Sequence, residues 1–165
     1  MGSGGRRHAG KCAATNVHIV RADSPLFLRL GNRGRVLPEM SKPPPGILRR
    51  VMFGNITGED NGLRGSIFSG IPLAQIEDVV VRNLRISMAG GGAEISAGTA
   101  IPEKDSAYPE AAMFGPQAPA CGFWVRHARG VRFVDVSVTP KNPDARPCFS
   151  SGGDTPNLTI NGKPL

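Results

Sequence analysis

Aromatic residues are scarce: one Trp, one Tyr and seven Phe, 5% of 165 residues. So few flat rings, with no nucleic-acid reader motif, argue against a nucleic-acid partner. No run of 18 apolar residues occurs, so no membrane-spanning helix is expected. Cysteine is limited to Cys12, Cys121 and Cys148, an odd number without CxxC spacing, which supports neither a disulfide framework nor a zinc site. His8, His18 and His127 share no metal-ligand spacing. Gly90–Gly92 is flanked by Ala and lacks the Lys of a phosphate-cradling loop, and no cofactor is expected. Ser24, Ser66 and Ser69 have no His or Asp partner at a spacing that would make a nucleophile. Met1–Gly10 has no apolar stretch and does not read as a signal peptide as it stands.

Turn formers are plentiful. Gly (22) and Pro (15) exceed a fifth of the chain, which predicts many turns and few long helices. Hydrophobic content of 39% and charged content of 20% fit one globular domain. The net charge of +7 suits an anionic partner such as an acidic polysaccharide, and equally a plain compositional bias, since the basic residues are scattered.

Residues 1–15 are glycine-rich and basic without apolar period, and read as a disordered arm. From Asn16 onward short alternating runs predict strands at 16–20, 26–30, 47–57, 66–71, 76–86, 123–138, 146–150 and 157–160. The stretch CGFWVRHARGVRFVDVSV (121–138) is the clearest. Two apolar runs are joined by a basic corner, where Gly130 permits a positive φ. Val131, Phe133, Asp135 and Ser137 are expected on one face and Arg132, Val134, Val136 and Val138 on the other.

Three segments align: VMFGNIT (51–57), VVVRNLRI (79–86) and VRFVDVSV (131–138), with Asn16-Val17 as the tail of a fourth. Each carries Asn or Asp at one position, where a side chain can bond its counterpart in the next copy. Each later copy follows another short strand. The pattern predicts a solenoid of parallel strands, with an antiparallel sandwich as the rival. Residues 88–121 form an excursion too long for a simple connection, expected to be functional or a lid.

The strings SPLFLRLGNRGR (24–35), ITGED (56–60), SGIP (69–72), YPEAAMFG (108–115), GFWVRHARGVRF (122–133) and DARPCF (144–149) resemble the C-terminal portion of glycoside hydrolase family 28, the polygalacturonase-like pectin-degrading enzymes. The resemblance runs from about Asn16 to the C-terminus. It implies an all-β fold, a right-handed parallel β-helix, with only its C-terminal coils in this chain. It also implies a pectic, acidic polysaccharide as substrate, inverting hydrolysis without a cofactor, and a usually secreted or periplasmic location.

The family's catalytic strings (Asn-Thr-Asp, Asp-Asp, Gly-His-Gly and Arg-Ile-Lys) belong to coils upstream of the matched region, and none occurs here. Inversion requires an acid and a base carboxyl held roughly 6.5–9.5 Å apart. The close acidic pairs are Glu59-Asp60 and Glu77-Asp78, whose adjacent members on a strand point to opposite faces. No catalytic residue is therefore expected, and the missing N-terminal coils of a parent protein would be this chain's partner.

The candidate binding residues are Arg29, Arg33 and Arg35, suited to a forked grip on a uronate carboxylate, together with Arg126 and His127 at the corner. Tyr108 and Phe114 could stack on a sugar face or anchor the excursion. For His127 a structural role, bonded to a turn carbonyl, stands beside a ligand role. His18 is expected to be exposed. Asn55-Ile56-Thr57 and Asn157-Leu158-Thr159 match a glycosylation acceptor, but Asn55 is the repeat position and should be engaged by its neighbours.

Overall fold

The structure, a computed structural model, describes residues 8–9, 11–34, 36, 38, 41–96, 99–152 and 154–165. Its strands are β1 (His8–Ala9), β2 (Cys12–Val20), β3 (Phe27–Arg29), β4 (Ile47–Asn61), β5 (Ser66–Ser69) and β6 (Ile76–Gly90). After the excursion come β7 (Phe123–Arg126), β8 (Ala128–Asn142), β9 (Phe149–Gly152), β10 (Thr159–Ile160) and β11 (Lys163–Pro164). The one short helix among the described residues is a 3-10 turn at Ala111–Phe114.

The protein is all-β and built from parallel sheets. One sheet runs β1-β4-β6-β8-β10-β11 with β2 also beside β4; the other runs β3-β5-β7-β9. From β2 to β10 successive strands alternate between the sheets, and every strand pairing is parallel except the closing hairpin β10–β11. The antiparallel sandwich is thereby set aside. His8–Ala9 already pair with Ile47–Leu48, and Cys12–Thr15 pair with Val51–Gly54, so these residues belong to the large sheet and not to a disordered arm.

The long strands β4, β6 and β8 share bends at two matching positions, and β4 has a further one at Asp60, whose φ is 56°. Arg50, Asp78 and Gly130 have φ of 59°, 53° and 64°; Asn55, Asn83 and Asp135 have φ of 54°, 49° and 54°. Asn and Asp tolerate this left-handed conformation best among side-chain-bearing residues, which is why the repeat keeps them there. The bend also shifts the alternation. Val131 and Phe133 are buried together and Arg132 and Val134 exposed together, as the expected faces require, but past Asp135 the phase flips and Val136 is buried, away from the face of Val134. A left-handed residue resets which face follows it, so a strict period of two fails across the bend.

The Asn side chains stack as the repeat predicts, but Asp135, their counterpart in β8, accepts instead from Arg85 Nη2 at 2.6 Å. Asn83 Nδ2 donates to Asn55 Oδ1 at 2.9 Å, and Asn55 Nδ2 to Asn16 Oδ1 at 3.0 Å. Inside, like residues lie in register: Val51, Val79 and Val131; Ile56, Leu84 and Val136. The opposite sheet supplies Phe68 and Phe123, whose ring centroids are 6.2 Å and 4.8 Å from that of Phe133. These three rings are fully buried, each worth about 1.5–3 kcal/mol of apolar transfer.

The corner before β8 falls at His127, whose φ is 46°, while Gly130 makes a second bend within β8. The final short-sheet strand lies at Phe149–Gly152, later than the 146–150 pattern suggests. The reason is Arg146: its side chain is 1% exposed and bonded to Asp144 at 2.8 Å, which takes residues 144–146 out of the sheet.

Candidate functional site

The small sheet turns one face to the core and the other outward. Two rows lie on the outer face: Phe27, Ile67, Trp124 and Ser150, then Arg29, Ser69, Arg126 and Gly152. The excursion between β6 and β7 lies over this face, as a lid would. Met113, Phe114, Ala118 and Ala120 form a small apolar core with Ile67 and Trp124. Phe114 meets Trp124 edge-on, with centroids 5.4 Å apart.

Arg29 and Arg126 clasp the excursion from below. Arg29 Nη1 donates to Ser69 Oγ at 2.7 Å and to the Gly70 carbonyl at 2.6 Å, and its Nη2 donates to the Glu103 carbonyl at 2.7 Å. Arg126 donates to Ser69 Oγ and to the carbonyls of Ile101 and Pro102 at 3.2, 3.1 and 2.8 Å. Both guanidinium groups also lie over the Phe114 ring, at 5.3 and 4.9 Å. Burial lowers the pKa of each, and for Arg29 the charge of Arg126 adds to the effect. Two like charges near one ring are tolerated because backbone carbonyls and Glu103 surround them.

His127 sits where this clasp meets the C-terminal loop. Its Nε2 is 3.1 Å from Glu103 Oε1 and its Nδ1 is 2.6 Å from Asp154 Oδ1. The ring nitrogens therefore engage two carboxylates and not the turn carbonyl expected from the sequence. Glu103 Oε1 also accepts from Arg126 at 3.3 Å, while its Oε2 lies 3.3 Å from Arg126 Nη2, close enough for charge attraction but off the hydrogen-bond direction. Burial alone would raise the Asp154 pKa, but hydrogen bonds from His127, its own backbone and Gln75 outweigh it and leave it below the ordinary value.

Beside the cluster runs an open groove of about 510 Å³, lined by Glu94, Thr99, Glu103, Trp124, Arg126 and Ser150 among others. The guanidinium of Arg126 faces it with most of its donors already spent on the excursion. That geometry fixes a lid; it does not leave a free fork for a carboxylate.

The other sequence candidates divide. Phe114 is buried and anchors the excursion. Tyr108 is 64% exposed, and the exposed Arg33 guanidinium lies 4.9 Å from its ring centroid. Arg35 lies outside the described residues. Arg29, Arg126, His127 and Phe114 thus come together, while Arg33 and Tyr108 form a separate surface pair. His18 is exposed, as expected, and bonded to Thr57 Oγ1 at 2.8 Å.

The adjacent acidic pairs are spent between strands: Glu77 on Arg129 at 2.8 Å, Asp78 on Arg132 at 3.1 Å, Asp60 on Lys141 and Glu59 on His18 at 3.5 Å. The carboxylates that do converge, Glu103 and Asp154, are far apart in sequence and no spacing announces them. The His127 ring bridges the two, one nitrogen to each. Comparison of the chain with protein-family models, with curated proteins and with solved structures finds no match.

Proposed function

We propose that this chain forms C-terminal coils of a right-handed parallel β-helix of the polygalacturonase-like glycoside hydrolase family 28. In this reading the longer protein hydrolyses O-glycosidic bonds in pectic polysaccharide and the present coils are not catalytic themselves. The observation that carries it lies in one row of side chains. Val17 stands in register with Ile56 and Leu84, yet it is 37% exposed while they are 1% and 0% exposed. A core row left open at its first position fits a stack that continues past β2. Alternation of strands between two parallel sheets, the Asn16–Asn55–Asn83 ladder and the motif strings support the same reading.

The engagement of the paired and converging carboxylates supports the reading that these coils are not catalytic themselves. Glu59, Asp60, Glu77 and Asp78 each face a basic side chain, and Glu103 and Asp154 grip His127. A reducing-end assay on polygalacturonate should show no release by the isolated chain at any pH from 4 to 8. Release that survives repurification would overturn the assignment of catalysis to other coils.

A second reading is a basic module that holds acidic polysaccharide. Arg29 and Arg126 no longer serve it, since the excursion consumes them. The exposed Arg33–Tyr108 pair and Arg129, half-exposed despite its bond to Glu77, remain suited to it. Retention on immobilised polygalacturonate that fades with salt, and that Arg33→Ala with Tyr108→Ala abolishes, is the result this reading requires.

A further inference from the structure

The sulfur atoms of Cys121 and Cys148 lie 3.6 Å apart although both are free thiols. The sequence spacing gave no reason to pair them. Their proximity is set by the backbone. Cys121 N–H donates to the Pro147 carbonyl at 2.9 Å and Phe123 N–H to the Cys148 carbonyl at 2.8 Å. Gly122 permits this close approach, because a Cβ there would lie 2.5 Å from the Cys148 carbonyl oxygen. The two cysteines thus occupy neighbouring positions where the chain enters β7 and β9, which pair directly. Cys121 ends the excursion, and Cys148 follows the buried Asp144–Arg146 pair that holds the excursion's two ends. Arg146 donates there to the carbonyls of Ala118 and Ala120, and Asp144 accepts from Gly92 N–H.

We propose that Cys121 and Cys148 are an oxidation site, closing an intramolecular disulfide that staples the exit of the excursion to the approach of β9. A disulfide requires an S–S distance of about 2.05 Å, reachable from the present separation by side-chain rotation and a small backbone adjustment. The oxidant is a small-molecule disulfide of the oxidised-glutathione kind. The thiolate of Cys148, the more exposed of the two, attacks one sulfur and releases one small thiol. The Cys121 sulfur, after losing its proton, attacks Cys148 Sγ and releases the second. Two electrons pass to the small disulfide, and the two thiol protons are accounted for in the two small thiols released. Burial and the neighbouring Cys148 hold the Cys121 thiol up to about 12, so the second step limits the rate, which rises with pH. Cys12 is exposed and lies on β2 in the other sheet, which leaves it to intermolecular reactions.

The full chain carrying Cys12→Ser is incubated with oxidised glutathione, quenched, denatured and treated with N-ethylmaleimide. The expected product is a monomer lacking two hydrogens, unreactive to the maleimide, with one cross-linked peptide joining Cys121 to Cys148. Closing the loop between them should raise the melting temperature by roughly 5–10 °C, reversibly with dithiothreitol. Adding Cys148→Ala should remove both cross-link and gain. Two alkylated thiols after oxidation, or a glutathione adduct on Cys148 that never resolves, would overturn the proposal.

Discussion

Asn55 donates from Nδ2 to Oδ1 of Asn16 at 3.0 Å, across 39 positions of sequence. The same residue holds a φ of 54°, and Asn83 donates to its Oδ1 in turn. Position 55 therefore combines a conformational demand with a place in a side-chain ladder.

The two roles separate by substitution. Asn55→Gly keeps the left-handed backbone and loses the ladder, costing about 1 kcal/mol. Asn55→Ala loses both and should cost about 2–3 kcal/mol, read from urea midpoints. Equal losses for the two variants would deny the backbone its share.

Acid should loosen the excursion. Hydrogen bonds from Arg146 hold the Asp144 pKa at about 2, below the ordinary aspartate value of 3.8. A group with a lowered folded-state pKa contributes stability above its unfolded value, and that contribution disappears as pH falls through the folded value. Stability should thus drop by about 2 kcal/mol between pH 5 and pH 2 through this carboxylate alone. Asp144→Asn should flatten that part of the pH–stability curve, and an unchanged slope would count against the buried pair.

The clasp under the excursion is testable by proteolysis. Arg126→Met leaves the carbonyls of Ile101 and Pro102 without their donor and takes one partner each from Ser69, which keeps Arg29, and Glu103, which keeps His127, at a cost of about 2–4 kcal/mol. Trypsin should then cut after the exposed Lys104 at least tenfold faster, while the strands stay intact. No change in the cleavage rate would mean that Phe114 and its apolar neighbours hold the excursion without Arg126.

The exposed first row should drive self-association. Val17 and Val20 are 37% and 45% exposed on β2. Val17→Lys places a charge at that edge and should lower the concentration-dependent light scattering of the isolated chain several-fold. A chain that is monomeric and melts cooperatively without the substitution would remove the need for anything beyond β2.

Much of the fold is legible because its repeat is local. Apolar alternation locates the strands, and Asn55, Asn83 and Asp135 mark one bend in each long strand. Arg50 and Asp78 mark the other bend but resemble ordinary strand residues, so only Gly130 betrays it. The phase flip after Asp135 is hidden for the same reason: it arises from φ, which composition does not report. The site is less legible. Arg126 and His127 stand out beside a corner, yet their partners Glu103 and Asp154 lie in loops where no period applies. An arginine that binds a ligand and one that binds carbonyls of its own chain look alike in sequence.

The proposed function places these coils in a longer β-helix in which hydrolysis resides elsewhere. An antibody raised to residues 103–117, used to blot native extracts of the source organism, measures this most directly. A band well above 17.4 kDa is expected. A single band at 17.4 kDa would contradict it, and the polysaccharide-binding module would then be the better description.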